Sequence, residues 1–399
     1  MSLLERIRKV GAEVESRGDS GSFPAVAREV LERARLHEDL DWDELYRDLA
    51  TADFPEQFSR ASRFGHPPVT LFRNERFFID IYFWDEPNIA VHSHSFSGAF
   101  TVLRGPSLHV EYEFKANSSE DDQVFPGKTI FRNVEILLNG DVREIRSGSS
   151  FIHQVWHAGF PSVSLAVRTV KEPDSSKVLT YFPPRLAAGS PQYLSPPAHK
   201  RIKLLEFLHR VDPARFLGLL GTLLREGSPL ECFWYFVTAY GLSGHDGDVR
   251  DLLETSGLDW GDDLLHSLDR SMEGNIRWEM VTGEGERFFL AAALSIYDRP
   301  LLLEVLSLYE PGRPVLESAH DHICALLDSE ALPWEGDAVA FIVLAGMLND
   351  NSDSVICDAV LQEFETGDRD EVERDVAECR AELASIPFLK TLLTGGGGD

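Results

Sequence analysis

The hydrophobic pattern changes period twice along this chain, and those changes divide it. Through residues 2–50 apolar side chains recur at helical spacing, as in Phe23-Pro24-Ala25-Val26-Ala27-Arg28-Glu29-Val30-Leu31. Asp41-Trp42-Asp43-Glu44-Leu45 adds an Asp cap with acidic residues in a first turn. From Val69 the period becomes that of strands. Segments 69–73 and 77–84 are rich in aromatic and β-branched residues. Further strand segments are 90–94, 99–103, 108–114, 134–138, 142–145, 152–156, 163–170 and 178–182, with Gly, Pro, Asn or Asp in most gaps. Many short strands at close spacing predict a sandwich or small barrel. Residues 183–199 form a Pro-rich connector, semi-rigid and extended. Helical spacing then returns to about Leu393, with 338–348 reading as a buried helix. Short Gly, Asp and Pro loops between these helices suggest antiparallel pairs or an irregular solenoid, without a repeat of fixed period.

Composition narrows the class. The chain has 399 residues, too many for one typical core. Its net charge is −28, and the charge is uneven: residues 1–199 carry 22 Lys and Arg against 28 Asp and Glu, and residues 200–399 carry 16 against 38. Such a surface repels nucleic acid and anionic membranes and reads as a solvated face. No apolar run approaches the ~20 residues of a membrane span. The start, Met1-Ser2-Leu3-Leu4-Glu5-Arg6-Ile7-Arg8-Lys9, lacks a signal-peptide core, so a cytoplasmic location is expected. Cys232, Cys324, Cys357 and Cys379 form no CxxC pair and read as reduced, mostly buried thiols.

The chemistry concentrates in two strand segments. One carries His92-Ser93-His94; the other carries His153-Gln154-Val155-Trp156-His157. Residues two apart in a strand share a face, so His92 and His94 point two imidazoles at one place. A third imidazole from a neighbouring strand would complete a facial metal site. Imidazole suits Fe, Zn, Cu and Ni, whereas Mg and Ca prefer oxygen. His157 shares a strand face with His153 and is a candidate acid/base or alternative ligand. His109 reads as structural, and Phe78, Tyr82, Trp84, Phe100, Tyr112 and Trp156 read as barrel core. His320-Asp321-His322 lies in a helical segment, where positions i and i+2 do not face each other, and is not read as a metal site.

A His-x-His pair before a strand ending in Gly105, with one histidine opening a later strand, resembles the cupin superfamily. That resemblance implies a small β-barrel whose two motifs bring metal ligands into its mouth. Many cupins carry a glutamate shortly after the pair; here the region reads Ser97-Gly98-Ala99, which implies a three-histidine set. Within the cupins the chain resembles the cysteine dioxygenase-type thiol dioxygenases. The likeness rests on Phe151-Ile152-His153-Gln154-Val155, on Ser162-Val163-Ser164-Leu165-Ala166-Val167, and on Arg73-Asn74 before the 77–84 strand. It covers roughly residues 65–185. It implies His92, His94 and His153 as Fe(II) ligands and Arg73 as the clamp for a substrate anion.

The departures are specific. Where those enzymes place a histidine and a tyrosine after Ser-Leu, this chain has Ala166 and Arg168. The asparagine expected four residues after the last ligand is His157, and Tyr181-Phe182-Pro183-Pro184 falls later than their Tyr-Ser-Pro-Pro. The resemblance therefore carries over the metal site and not the substrate. An inward-pointing Arg168 would add a cation near the metal and favour an anionic substrate.

The expected architecture is an α+β multidomain chain: an N-terminal helical cap (1–60), a cupin β-barrel (61–185), a Pro-rich linker (186–199) and an all-α C-terminal domain (200–393). The expected function is a mononuclear non-haem iron oxygenase, using Fe(II) and O2 on a small anionic or amino-acid-like substrate. Arg73, His157 and Arg168 are its candidate catalytic residues. One alternative is a non-catalytic small-molecule-binding cupin whose helical domain engages a protein partner or a second copy. Another is a metal-dependent lyase or isomerase using Zn, Ni or Mn as a Lewis acid, with Cu a further candidate metal for the site.

Overall fold

The period-two segments become strands, and their alternation builds the region that holds the histidines. A computed structural model of the chain describes residues 2–17, 22–57, 68–85, 87, 90–117, 123–170, 172, 178–243, 247–271, 276–332, 334, 337–364 and 368–394. Residues 61–67 of the expected barrel and the 395–399 tail, expected to be disordered, lie outside them. The architecture is α+β: helices, then a β-barrel region, then helices to the end. It divides into two compact units, Met1–Asp269 and Arg270–Asp399.

The first unit opens with α1 (Leu3–Ser16), α2 (Phe23–Ala34) and α3 (Trp42–Thr51). Ser2 and Glu5 form a reciprocal capping box on α1, and Asp41 caps α3 through the Glu44 amide. Eleven strands follow among the described residues: β1 (Pro68–Arg73), β2 (Phe77–Trp84), β3 (His92–His94), β4 (Gly98–Arg104), β5 (Ser107–Ala116), β6 (Val124–Leu137), β7 (Val142–Ile145), β8 (Gly148–His157), β9 (Ser162–Thr169), β10 (Leu179–Phe182) and β11 (Leu186–Gly189). One sheet runs β1-β2-β9-β4-β7; the other closes as a barrel in the order β10-β11-β6-β5-β8-β3. All the named strand pairings are antiparallel.

Alternation along β2 shows how the open sheet is used. Phe77, Ile79 and Ile81 pack outward against Ile7, Val30 and Leu45 of the N-terminal helices. Asp80, Tyr82 and Trp84 turn the other way, toward the barrel. Each face is thus set by a period of two in the sequence.

Two expectations change here. The segment 186–199 is not wholly a linker, because β11 completes the barrel between β10 and β6 and all four of its residues are buried. Leu-Ala-Ala-Gly lacks the β-branched and aromatic residues that announce a strand, so composition hid it. The division between units also falls inside the 200–393 stretch. Helices α4 (Pro196–Val211), α5 (Pro213–Glu226), α6 (Pro229–Ser243), α7 (Gly247–Glu254) and α8 (Gly261–Ser271) follow the barrel. Leu220, Leu230, Phe233 and Leu264 share a core with Val124 of β6 and with Leu186 and Ala188 of β11. The Trp234 indole also donates to the Gly189 carbonyl at 2.9 Å.

The second unit is helical among its described residues. It contains α9 (Glu284–Ser295), α10 (Arg299–Tyr309), α11 (Val315–Asp328) and α12 (Ala338–Leu348), with three further helices to Thr394. On α11 the two histidines take different partners, as expected for i and i+2. His322 sits between Glu286 and Glu310 at 3.3 and 3.2 Å, while His320 Nε2 meets the Phe341 carbonyl. All four cysteines are free thiols. No described helix is long and apolar enough to cross a membrane.

Candidate metal centre

The three histidines converge. A register irregularity separates His92 from His94 on β3, and His92 pairs directly with His153 on β8. Ring centroids lie 4.6 Å apart for His92 and His94, 4.8 Å for His92 and His153, and 5.0 Å for His94 and His153. One nitrogen from each falls within 4.8 Å of the others. His94 Nε2 and His153 Nε2 are 2.8 Å apart. Two nitrogens bound at right angles to one metal, each ~2.1 Å away, sit ~3.0 Å apart, so the rings need little adjustment to share an ion.

Hydrogen bonds fix which nitrogen faces inward. His92 Nδ1 donates to the Ala90 carbonyl at 2.8 Å, leaving Nε2 as the electron-pair donor. His153 Nδ1 lies 2.9 Å from His109 Nε2, and His109 Nδ1 lies 2.8 Å from Glu135 Oε1. Glu135 is clamped in turn by Arg143 Nε and Nη2 at 2.7 and 2.6 Å. Burial pushes the Glu135 carboxyl upward, but the hydrogen bonds from His109 and Arg143 outweigh it and hold the group at about 2. An ionised Glu135 accepts from His109 Nδ1, which leaves His109 Nε2 to accept from His153 Nδ1. The Nε2 lone pair of His153 then points into the cluster.

Burial pushes the His92 imidazole down to about 4 and holds His94 and His153 well below the usual range. Three desolvated neutral imidazoles with converging ring nitrogens are a donor set for a borderline-soft transition metal. The residues therefore fit the ion that the cupin resemblance implies, and a closed six-stranded barrel with a histidine triad matches the architecture it implies. A second grouping, His109, Glu111 and Glu135, also brings ligand-type atoms within 4.8 Å. There, however, both His109 nitrogens are engaged, and Arg143 holds Glu135.

Backbone packing explains why the set holds no carboxylate near His94. A Cβ at Gly98 would lie 1.9 Å from the Val167 carbonyl oxygen on β9. Strands β4 and β9 approach too closely there for any side chain.

A cavity of about 130 Å³ opens beside the triad, between the two sheets. Trp84, Phe96, Phe100, Val102, Ile145 and Val155 supply its apolar walls. His157 also lines it. Its ring stacks on Trp84 at 4.6 Å and 14°, its Nδ1 lies 3.3 Å from Ser107 Oγ, and its buried Nε2 has no hydrogen-bond partner. Burial pushes this imidazole down to about 3.

The two expected arginines are placed differently. Arg168 does line the cavity, as an inward position requires, but its charge is matched by Asp80. Its Nε and Nη2 donate to Asp80 Oδ2 at 3.0 and 2.8 Å, and its guanidinium covers the Phe78 ring at 4.1 Å. Arg168 is thus ion-paired with Asp80 across a β2–β9 contact that neither segment shows alone. Arg73 is not among the cavity-lining residues; it pairs with Glu56 at 3.3 Å. It stands at the end of β1 with the Glu56 carboxylate beside it. Tyr82 and Trp84, expected in the core, also turn out to line the cavity. His109, read as structural, is the residue that sequence reasoning missed. Its inward alternation on β5 was available, but its partners on β6 and β8 depend on strand register.

No protein-family model matches the sequence, and no curated protein matches it. Among solved structures, the chain is similar to a conserved protein with a double-stranded β-helix domain from Klebsiella pneumoniae, with 17% identity over 33% of this chain and 93% of that one and a TM-score of 0.21. It is similar to the DMSP lyase DddQ from Ruegeria pomeroyi, with 14% identity over 35% of this chain and 66% of that one and a TM-score of 0.24. It is also similar to hydroquinone 1,2-dioxygenase from Sphingomonas sp. TTNP3, with 12% identity over 32% of this chain and 77% of that one and a TM-score of 0.22. At these scores the likenesses carry no weight for the chemistry of this chain.

Proposed function

We propose that this chain is a mononuclear non-haem iron oxygenase in which His92, His94 and His153 hold Fe(II) and a small molecule reacts with O2 in the adjoining cavity. The observation that carries this reading is the convergence of three buried, neutral imidazoles at the edge of a cavity. When bound, the metal would supply Lewis acidity and the redox chemistry that joins substrate to dioxygen. The protein's own part is positioning. Phe96, Phe100, Val102 and Val155 keep water from the reacting groups and hold the substrate against the triad. His157 presents an unpartnered Nε2 that can hydrogen-bond a substrate group and hold it in place, with Trp84 and Ser107 fixing its ring.

The test is metal content together with oxygen uptake after anaerobic reconstitution with Fe(II), screened against small phenols, thiols, amines and amino acids. The reading expects one Fe per chain and substrate-dependent oxygen consumption. A protein that binds no transition metal, or whose oxygen uptake survives His92→Ala unchanged, contradicts it. The unpartnered Nε2 of His157 beside the triad also favours a second reading, a lyase or isomerase using Zn, Ni or Mn as Lewis acid. Turnover without oxygen separates the two.

A further inference from the structure

The polar groups around the cavity specify what enters it. Arg168 and the Tyr82 hydroxyl are both bound to Asp80, the Tyr82 contact at 2.9 Å. The Trp84 indole donates to Ser164 Oγ at 2.8 Å, Ser162 Oγ donates to the Arg104 carbonyl at 3.1 Å, and Ser107 Oγ meets His157 Nδ1. His157 Nε2 is left: it is buried, lacks a hydrogen-bond partner, and sits on a ring that lines the cavity. A buried polar atom without a partner costs free energy, and in a native site such an atom is met by a water or by a ligand group.

Charge and size point the same way. The one guanidinium at the cavity is neutralised by a carboxylate that is 2% exposed, so neither a lone carboxylate nor a zwitterion finds an unpaired counter-charge among the described lining residues. Desolvating such an ion without a counter-charge is strongly unfavourable. A volume of about 130 Å³ is close to the ~150 Å³ apolar cavity known to admit one benzene ring. Trp84, Phe96 and Phe100 line it with aromatic carbon suited to such a ring.

We propose that the cavity takes an uncharged single-ring compound bearing two hydroxyl or amino groups, one directed at the histidine triad and one hydrogen-bonded to His157 Nε2. The direction of the first group rests on the metal-centre reading; the recognition by His157 does not, and the exclusion of anions belongs to the metal-free cavity, because a bound dication would itself be a counter-charge. The substrate class is therefore a small hydroxylated or amino-substituted aromatic, and the metal-free cavity disfavours amino acids and simple carboxylates.

The test uses the full-length, metal-free chain, so that it stands apart from the metal and oxygen measurements. Phenol, toluene and benzoate are titrated by calorimetry into wild type, His157→Phe and His157→Gln. Phenol is expected to bind wild type, with benzoate at least about tenfold weaker; His157→Phe is expected to weaken phenol about tenfold and leave toluene within about twofold. His157→Gln, which retains a polar group, is expected to fall between. Benzoate binding as tightly as phenol, phenol affinity unchanged in His157→Phe, or no ring compound binding wild type would each overturn the proposal. The wild-type comparison of phenol with benzoate needs no variant, so the test survives a variant that fails to fold.

Discussion

His153 Nδ1 lies 2.9 Å from His109 Nε2, and through that contact a ligand-facing imidazole is tied to an ionised carboxylate and an arginine. The arrangement fixes the tautomer of His153 and raises the electron density at its Nε2. Glu135→Gln, or His109→Phe, is therefore expected to lower metal affinity roughly 10–100-fold while leaving all three ligands in place. Competition against a coloured chelator measures it. Affinity within the error of wild type in both variants would show that the chain of contacts is structural only.

Asp80 decides whether Arg168 acts as a cation toward the cavity. Asp80→Asn removes the matching charge, and benzoate binding is expected to appear or strengthen. Breaking a buried ion pair from one side typically costs about 3–5 kcal/mol, so the variant is also expected to melt earlier. Calorimetric titration and thermal denaturation read the two effects. Benzoate binding no tighter in the variant would mean that Arg168 does not reach the ligand.

Gly98 occupies the region where a carboxylate ligand would enlarge the set. Gly98→Glu is expected to destabilise the fold by at least about 2 kcal/mol, because its Cβ meets a backbone carbonyl that cannot move aside. It is not expected to create a fourth ligand. Chemical denaturation and metal titration of the variant check both points, and a stable variant with tighter metal binding would contradict them.

Much of this site was legible in the sequence, because β alternation is local. The His92–His94 pair follows from a period of two, and the same period turns Tyr82 and Trp84, read as core, toward the cavity. Other features were not legible because they belong to pairings between distant segments. His109 meets Glu135 across the β5–β6 register, and Asp80 meets Arg168 across β2–β9. Strand β11 was hidden by an Ala-Ala-Gly composition whose burial comes from its neighbours. Helices α4–α8 were grouped with the later helices because helical spacing shows which face is apolar and not what covers it.

His157 makes the fold acid-sensitive in a defined window. In the unfolded chain its imidazole titrates near ~6.5, and in the folded protein burial holds it at about 3. Between these values the unfolded state binds more protons, so stability falls as pH is lowered through the window. Metal-free wild type is expected to lose stability on acidification faster than His157→Phe, by up to about 1 kcal/mol per pH unit. Denaturation curves from pH 7 to 4 compare them, and parallel pH dependences would contradict the assignment.

The central claim is that His92, His94 and His153 bind one transition-metal ion. Anaerobic titration of the metal-free chain with Co(II), followed by its visible absorption, tests this most directly. The account predicts saturation at one equivalent per chain, loss of the signal in His94→Ala and His153→Ala, and weakened binding with the ligands intact in Glu135→Gln. No saturable signal, or an unchanged titration in both alanine variants, would contradict it.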